Sequence, residues 1–167
     1  EHNDIDHLAA AYCALNSSPN KAQEASSMLE KTGESADISI AKTNLQAQTY
    51  AALGKTHLAL ECLERFPVKN LSASNRLLLG KLYVQTHRWQ TIEDYIKQHG
   101  RSHPEYVSAW LITRLFQQHA AQSKDQLSID IYGRLAHTLQ NNISVFIAHT
   151  QSLYNTGNID TALQNSI

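Results

Sequence analysis

An internal repeat constrains this chain more than any other feature. Ala47, Tyr50, Gly54 and Ala59 recur as Gly80, Tyr83, His87 and Ile92, at an offset of 33 residues. A third copy runs from Leu153 to Ala162, with Gly157 lying 70 residues beyond His87, or two steps of 35. A degraded fourth copy opens the chain. There Leu8-Ala9 and Tyr12 match Leu79-Gly80 and Tyr83, and Ala22 follows a turn containing Pro19. Self-similarity at this period means units that cannot bury an apolar face alone and must stack on their neighbours.

The pattern resembles the tetratricopeptide repeat (TPR) family: a small residue after Leu, an aromatic three further on, a turn glycine, then a small residue on a second helix. The resemblance implies an all-α, right-handed superhelical solenoid of antiparallel helix pairs. Ala47, Gly80, Ala59 and Ala162 then sit where paired helices cross most closely, and a larger side chain would force them apart. Tyr12, Tyr50 and Tyr83 fill the space between helices. Gly54 and Gly157 supply the left-handed residue that ends the first helix of a pair, and His87 stands at the same position in its own copy.

Remaining punctuation places about ten helices in five pairs: 3–16 with 20–32, 38–53 with 55–66, 72–86 with 89–99, 104–119 with 123–140, and 143–156 with 159–167. Pro67 stops a second helix, and Gly33 and Gly100 follow Lys31 and Lys97 as C-terminal caps. Pro104 reads as a first-turn proline, and Ser123 with Gln126 as a capping box. No segment alternates with period two over a strand length, so no sheet is expected. The approximate repeats are 3–32, 38–66, 72–99, 104–140 and 143–167 of a single TPR-like domain, 1–167. The chain opens on Glu1 and closes on Ile167 without a polar cap helix. About five repeat units cut from a longer array are expected on that basis.

The charge balance narrows the partners. Lys and Arg number 14 against 15 Asp and Glu, and only 17% of residues are charged. A nucleic-acid binder carries a basic excess or stripe, so an RNA-binding helical repeat is disfavoured. No run approaches the ~20 apolar residues of a membrane span. A soluble segment is expected, with the cytoplasm as its compartment. Amides replace the missing charges, with 13 glutamines alone.

Nothing in the sequence assembles a catalytic or cofactor site. Cys13 and Cys62 are 49 positions apart with no metal or redox spacing, and both read as small buried or half-buried side chains. Glu61 and Glu64 beside Cys62 oppose a thiolate. Of nine histidines, His99 and His103 are four apart, but Gly100 breaks the helix that would aim both at one ion. The histidines read as exposed or capping groups in turns. Glu61/Glu64 and Glu93/Asp94 read as solvated helix faces. Trp89 should pack back on the preceding turn, and Tyr106, Trp110 and Phe116 read as a core stripe. No enzyme and no cofactor is expected.

The first helices of stacked pairs line the concave side of such a solenoid. In this register the candidate partner-binding residues are Asn44, Gln48, Leu77, Lys81, Val84, Gln85, Gln151, Tyr154 and Asn155. Ala51, Ser144, Ile147, Asp6, Ala10 and Cys13 extend the same face. The lining is amide-rich with one clear cation, Lys81, and amides can pair with the backbone of an extended peptide. Some TPR domains clamp a peptide's terminal carboxylate with Lys, Asn and Arg. Here Asn44 and Gln48 stand where Lys and Asn would be needed, so that clamp is not expected. The reading is a protein-interaction scaffold that takes a peptide or helix of a partner, or a second copy of itself.

Two other readings stand beside it. Leu79 to Trp89, Trp110, Leu139-Gln140-Asn141-Asn142 and Tyr154-Asn155-Thr156-Gly157 are similar in layout to the C-terminal repeat region of HemY-type proteins. That resemblance implies the soluble arm of a membrane-associated bacterial assembly. The histidine count leaves open a haem- or metal-handling protein.

Overall fold

The computed structural model describes residues 2–18, 21–33 and 36–164. Among them it contains eleven α-helices and no strand. The turn expected at Pro19 reaches into residues 19–20, and the close on Ile167 into 165–167; both lie outside the described residues. The chain divides into two compact units, Glu1–Leu82 and Tyr83–Ile167.

The first unit holds α1 (His2–Ser17), α2 (Ala22–Glu30), α3 (Ala36–Ala52), α4 (Thr56–Glu64) and most of α5 (Ala73–Gln85). Its core joins Ala11, Ala14, Ala25, Leu29 and Leu45, with Leu8, Leu15 and Met28 packed against them. Small residues let α1 and α2 approach closely enough for that contact. Ala47 and Ala59 are both fully buried and Gly80 is buried, as their crossing role requires. The register expected for α1 is wrong. Ala9 and Tyr12 are exposed, Tyr12 to 57%, and α1 buries Ala11 and Ala14 instead. Cys13 is exposed too, while Cys62 is buried. Pro67 does close the fourth helix, opening a short 3-10 turn over Val68–Asn70.

The second unit continues with α6 (Trp89–His99), a 3-10 turn at Pro104–Tyr106, α7 (Ala109–Ala121), α8 (Asp125–Tyr132), α9 (His137–Gln140), α10 (Ile143–Asn155) and α11 (Ile159–Gln164). Ile92, Ile96, Leu111, Ile112, Leu115, Phe116, Ile131 and Val145 form its interior, each 2% exposed or less. Two expected helices are revised. Pro104 begins the 3-10 turn, and α7 starts only after Ser108, whose Oγ accepts from the Leu111 N–H at 3.3 Å. The helix expected over 123–140 is broken at 133–136. Leu135 turns inward, 7% exposed, and the Ala136 N–H donates to the Gly100 carbonyl at 2.9 Å. Burial of one leucine and a non-local hydrogen bond together override helix propensity there.

Four helix pairs close on the same turn. Gly54, His87, Ser123 and Gly157 have positive φ, at 71°, 55°, 55° and 80°. At each, the following N–H bonds back five residues: Lys55 to Tyr50, Arg88 to Tyr83, Lys124 to His119 and Asn158 to Leu153, at 2.8–3.0 Å. The left-handed residue's own N–H bonds back three, to Ala51, Val84, Ala120 and Tyr154, at 3.1 Å. This is the Schellman closure, which satisfies carbonyls a helix end would otherwise orphan. Ser123 is therefore a turn residue and not the cap of a helix. Gln126 donates instead to Asp130 at 3.0 Å. The steps between these turns are 33, 36 and 34 residues.

Candidate functional site

The nine candidate residues fall into local groups. In the first unit, Asn44 and Gln48 lie one turn apart on α3, both half-buried, and both face Asn75 of α5. Asn75 is fully buried. Its Nδ2 donates to Oδ1 of Asn44 at 2.6 Å and to the Asn44 carbonyl at 3.3 Å. Its Oδ1 accepts from Nε2 of Gln48 at 2.8 Å. Asn75 thus spends its amide on α3, and Asn44 and Gln48 spend theirs inward. Leu77, 38% exposed, and Lys81 stand on the solvent side of α5.

In the second unit, Gln151 and Asn155 lie one turn apart on α10. Gln151 Nε2 donates to Asn155 Oδ1 at 2.9 Å, and Asn155 Nδ2 donates to Asp125 Oδ1 at 3.0 Å. Asp125, only 7% exposed, was not among the sequence candidates. Gln85 is exposed and Val84 half-buried at the end of α5.

Tyr154 is 62% exposed, and it shares a helix face with Ile143 and Ile147, 69% and 61% exposed. These three positions fall within about 40° of one another around α10. Residues 135–159 contain no Asp, Glu, Lys or Arg, so the row has no charged neighbour along the chain.

Beside His87 lies a pocket of about 270 Å³, lined by Val84, His87, Trp89, Arg114, Gln117 and Gln118. Trp89 packs back on its turn as expected, its ring 6.3 Å from that of His87. The expected aromatic stripe separates. Phe116 is 1% exposed, whereas Trp110 is 38% exposed and carries the Arg114 guanidinium 5.7 Å from its ring centroid.

The expectation of exposed, capping histidines fails at two positions. His119 and His149 are 3% and 7% exposed. His119 links three helices: Nδ1 meets Ser128 Oγ at 3.0 Å, and Nε2 lies 3.4 Å from Glu93 Oε2. Glu93 accepts only, so Nε2 carries the proton and Nδ1 accepts from the Ser128 hydroxyl. Glu93 also binds Lys97 one turn on, and it is not the solvated carboxylate expected. Burial pushes the Glu93 carboxyl up, but Lys97 and His119 outweigh it and the net shift is down. Burial holds His119 below its ordinary range despite the opposing pull of Glu93, with Lys124 and Lys97 acting in the same direction as burial. Ser128 is fully buried, so its Oγ is closed to solvent. His149 stacks on Tyr132, ring centroids 3.7 Å apart, and burial depresses its pKa as well.

His99 and His103 have ring centroids 6.4 Å apart, and His103 stacks on Tyr106 at 4.9 Å. Among the described residues no group of three or more His, Cys, Asp or Glu could hold a metal ion. Burial raises the Cys62 pKa, with Arg65 opposing and Glu61 adding to it.

Helix pairs that close on one left-handed turn every 33 to 36 residues define a TPR-like fold. The chain is similar to the solved structure of MamA (MSR-1 C2), a TPR solenoid, with a TM-score of 0.59 and 20% identity over 98% of this chain and 90% of that one. No family model matches the chain, and no curated protein matches it in sequence. Among the described residues no helix is long and apolar enough to cross a membrane.

Proposed function

We propose that the chain is a non-catalytic interaction scaffold that takes a peptide or helix of a protein partner, or a second copy of itself. The observation that carries this is the row Ile143, Ile147 and Tyr154 on α10. A soluble helix seldom leaves three large apolar side chains on one uncharged face without a partner to cover them. The contact set proposed is Asn44, Gln48, Leu77, Lys81, Val84, Gln85, Gln151, Tyr154 and Asn155. Within it the structure changes the weight of individual residues. Asn44, Gln48 and Asn155 already spend hydrogen bonds on Asn75 and Asp125, whereas Leu77, Lys81, Gln85 and Tyr154 are exposed.

The test has two arms on the 167-residue chain: sedimentation across a concentration series, and panning of a displayed random-peptide library. Concentration-dependent association, or enrichment of peptides, either one weakened by Ile147→Ser with Tyr154→Ala, supports the reading. A chain that stays monomeric throughout and enriches no peptide removes it.

A further inference from the structure

We infer that the pocket beside His87 is a docking site for an acidic peptide side chain carried in the middle of a partner segment. The inference rests on the scaffold reading and adds the location and chemistry of the ligand.

Arg114 carries the argument. Its guanidinium is held over Trp110 at 5.7 Å, and Nη1 donates to Gln117 Oε1 at 3.2 Å. Among the described residues no carboxylate pairs with it, so none of its five N–H donors meets an acid there. A guanidinium fixed by an aromatic face and an amide is pre-organised, and a carboxylate is the group whose geometry its fork matches. The rest of the lining carries no carboxylate. Val84 and the Trp89 ring offer apolar contact, and the carboxamides of Gln117 and Gln118 can meet a peptide backbone. About 270 Å³ is room for one or two side chains.

The commitment to an internal side chain follows from the charge count. A terminal Asp or Glu brings two carboxylates, and the pocket lining has one permanent cation to meet them. Amides beside that cation suit a backbone that enters and leaves. The expected ligand is an Asp or Glu next to an apolar residue.

Peptides enriched by panning against the full chain test this. They should share one acidic residue beside an apolar one. Amidated synthetic copies should perturb Trp89 and Trp110 fluorescence, and Arg114→Glu, its fold confirmed by circular dichroism, should weaken them roughly tenfold or more. Changing the acid to its amide in the peptide should weaken binding likewise. Enriched peptides that lack an acid, or that bind Arg114→Glu as well as the parent, overturn this site and leave the scaffold reading standing. Enrichment of peptides that need a free C-terminus overturns the internal side chain. An empty selection overturns the site, and the sedimentation arm then decides the scaffold reading by itself.

Discussion

Asn75 Nδ2 donates to Oδ1 of Asn44 at 2.6 Å, tying α5 to α3 across 31 residues of sequence. Gln48 completes the triad by donating to Asn75 Oδ1 at 2.8 Å. A fully buried amide with its donor and acceptor both engaged rigidifies the stack, and removing it leaves two partners short. Asn75→Ala is expected to destabilise the chain by about 1–3 kcal/mol. Gln48→Ala should cost less, because Gln48 is half-buried and water can replace it at Asn75. Urea unfolding midpoints of the two variants check the order.

Ser123 and His87 hold φ near 55° without being glycine. A left-handed L-residue costs roughly 1–2 kcal/mol, and glycine gives part of that back through the freedom it retains unfolded. Ser123→Gly should stabilise by about 0.5–1 kcal/mol. Gly54→Ala and Gly157→Ala should each destabilise by about 1 kcal/mol, although neither new Cβ meets an atom within 4 Å. Thermal unfolding of the three variants separates backbone conformation from packing.

Gly100 is required by space and not by its dihedral angles. A Cβ there would lie 2.7 Å from both the Ile96 carbonyl oxygen and Leu135 Cδ2. The leucine can move and the carbonyl cannot move cheaply. Gly100→Ala is expected to cost about 1–3 kcal/mol, with only part recovered when Leu135→Ala is added. A double-mutant cycle in urea measures that coupling.

His119 and His149 are buried and held below the ordinary 6.5 of a histidine. The unfolded chain therefore binds more protons than the folded one once the pH drops below about 6.5. Their contribution to stability is complete above that value and is lost as the pH falls through the folded pKa values. Glu93, held below its ordinary 4.5, adds a further loss at still lower pH. Urea midpoints should fall from about pH 7.5 to about pH 5. His149→Phe keeps a ring against Tyr132 and should flatten that slope, since it also removes the unpartnered buried Nδ1.

The repeat, the helix pairs and the small residues at their crossings were legible in the sequence. Ala47, Ala59, Gly80 and Ala162 are buried where the period put them, and Gly54, His87 and Gly157 hold left-handed turns. These features obey local rules: a helix face recurs every 3.6 residues, and a left-handed residue marks a helix end. Two positions mislead because their local signal is ambiguous. Ser123 followed by Gln126 satisfies a capping box and a turn equally well. Tyr12 matches the aromatic position in type but not in register.

What only the tertiary structure decided is which polar groups are consumed inside. Asn75, Asp125, Ser128 and His119 look like any surface residue in the sequence. The partners of Asn75 and Asp125 are set by the stacking of one pair on the next, 27 to 31 residues away for Asn75 and 30 for Asp125, and His119 meets Ser128 within its own pair and Glu93 in the pair before. Periodicity tells which side of a helix is apolar. It does not tell which amide meets which across a stack, because that depends on the relative rotation of two helices, and only the packed structure supplies it.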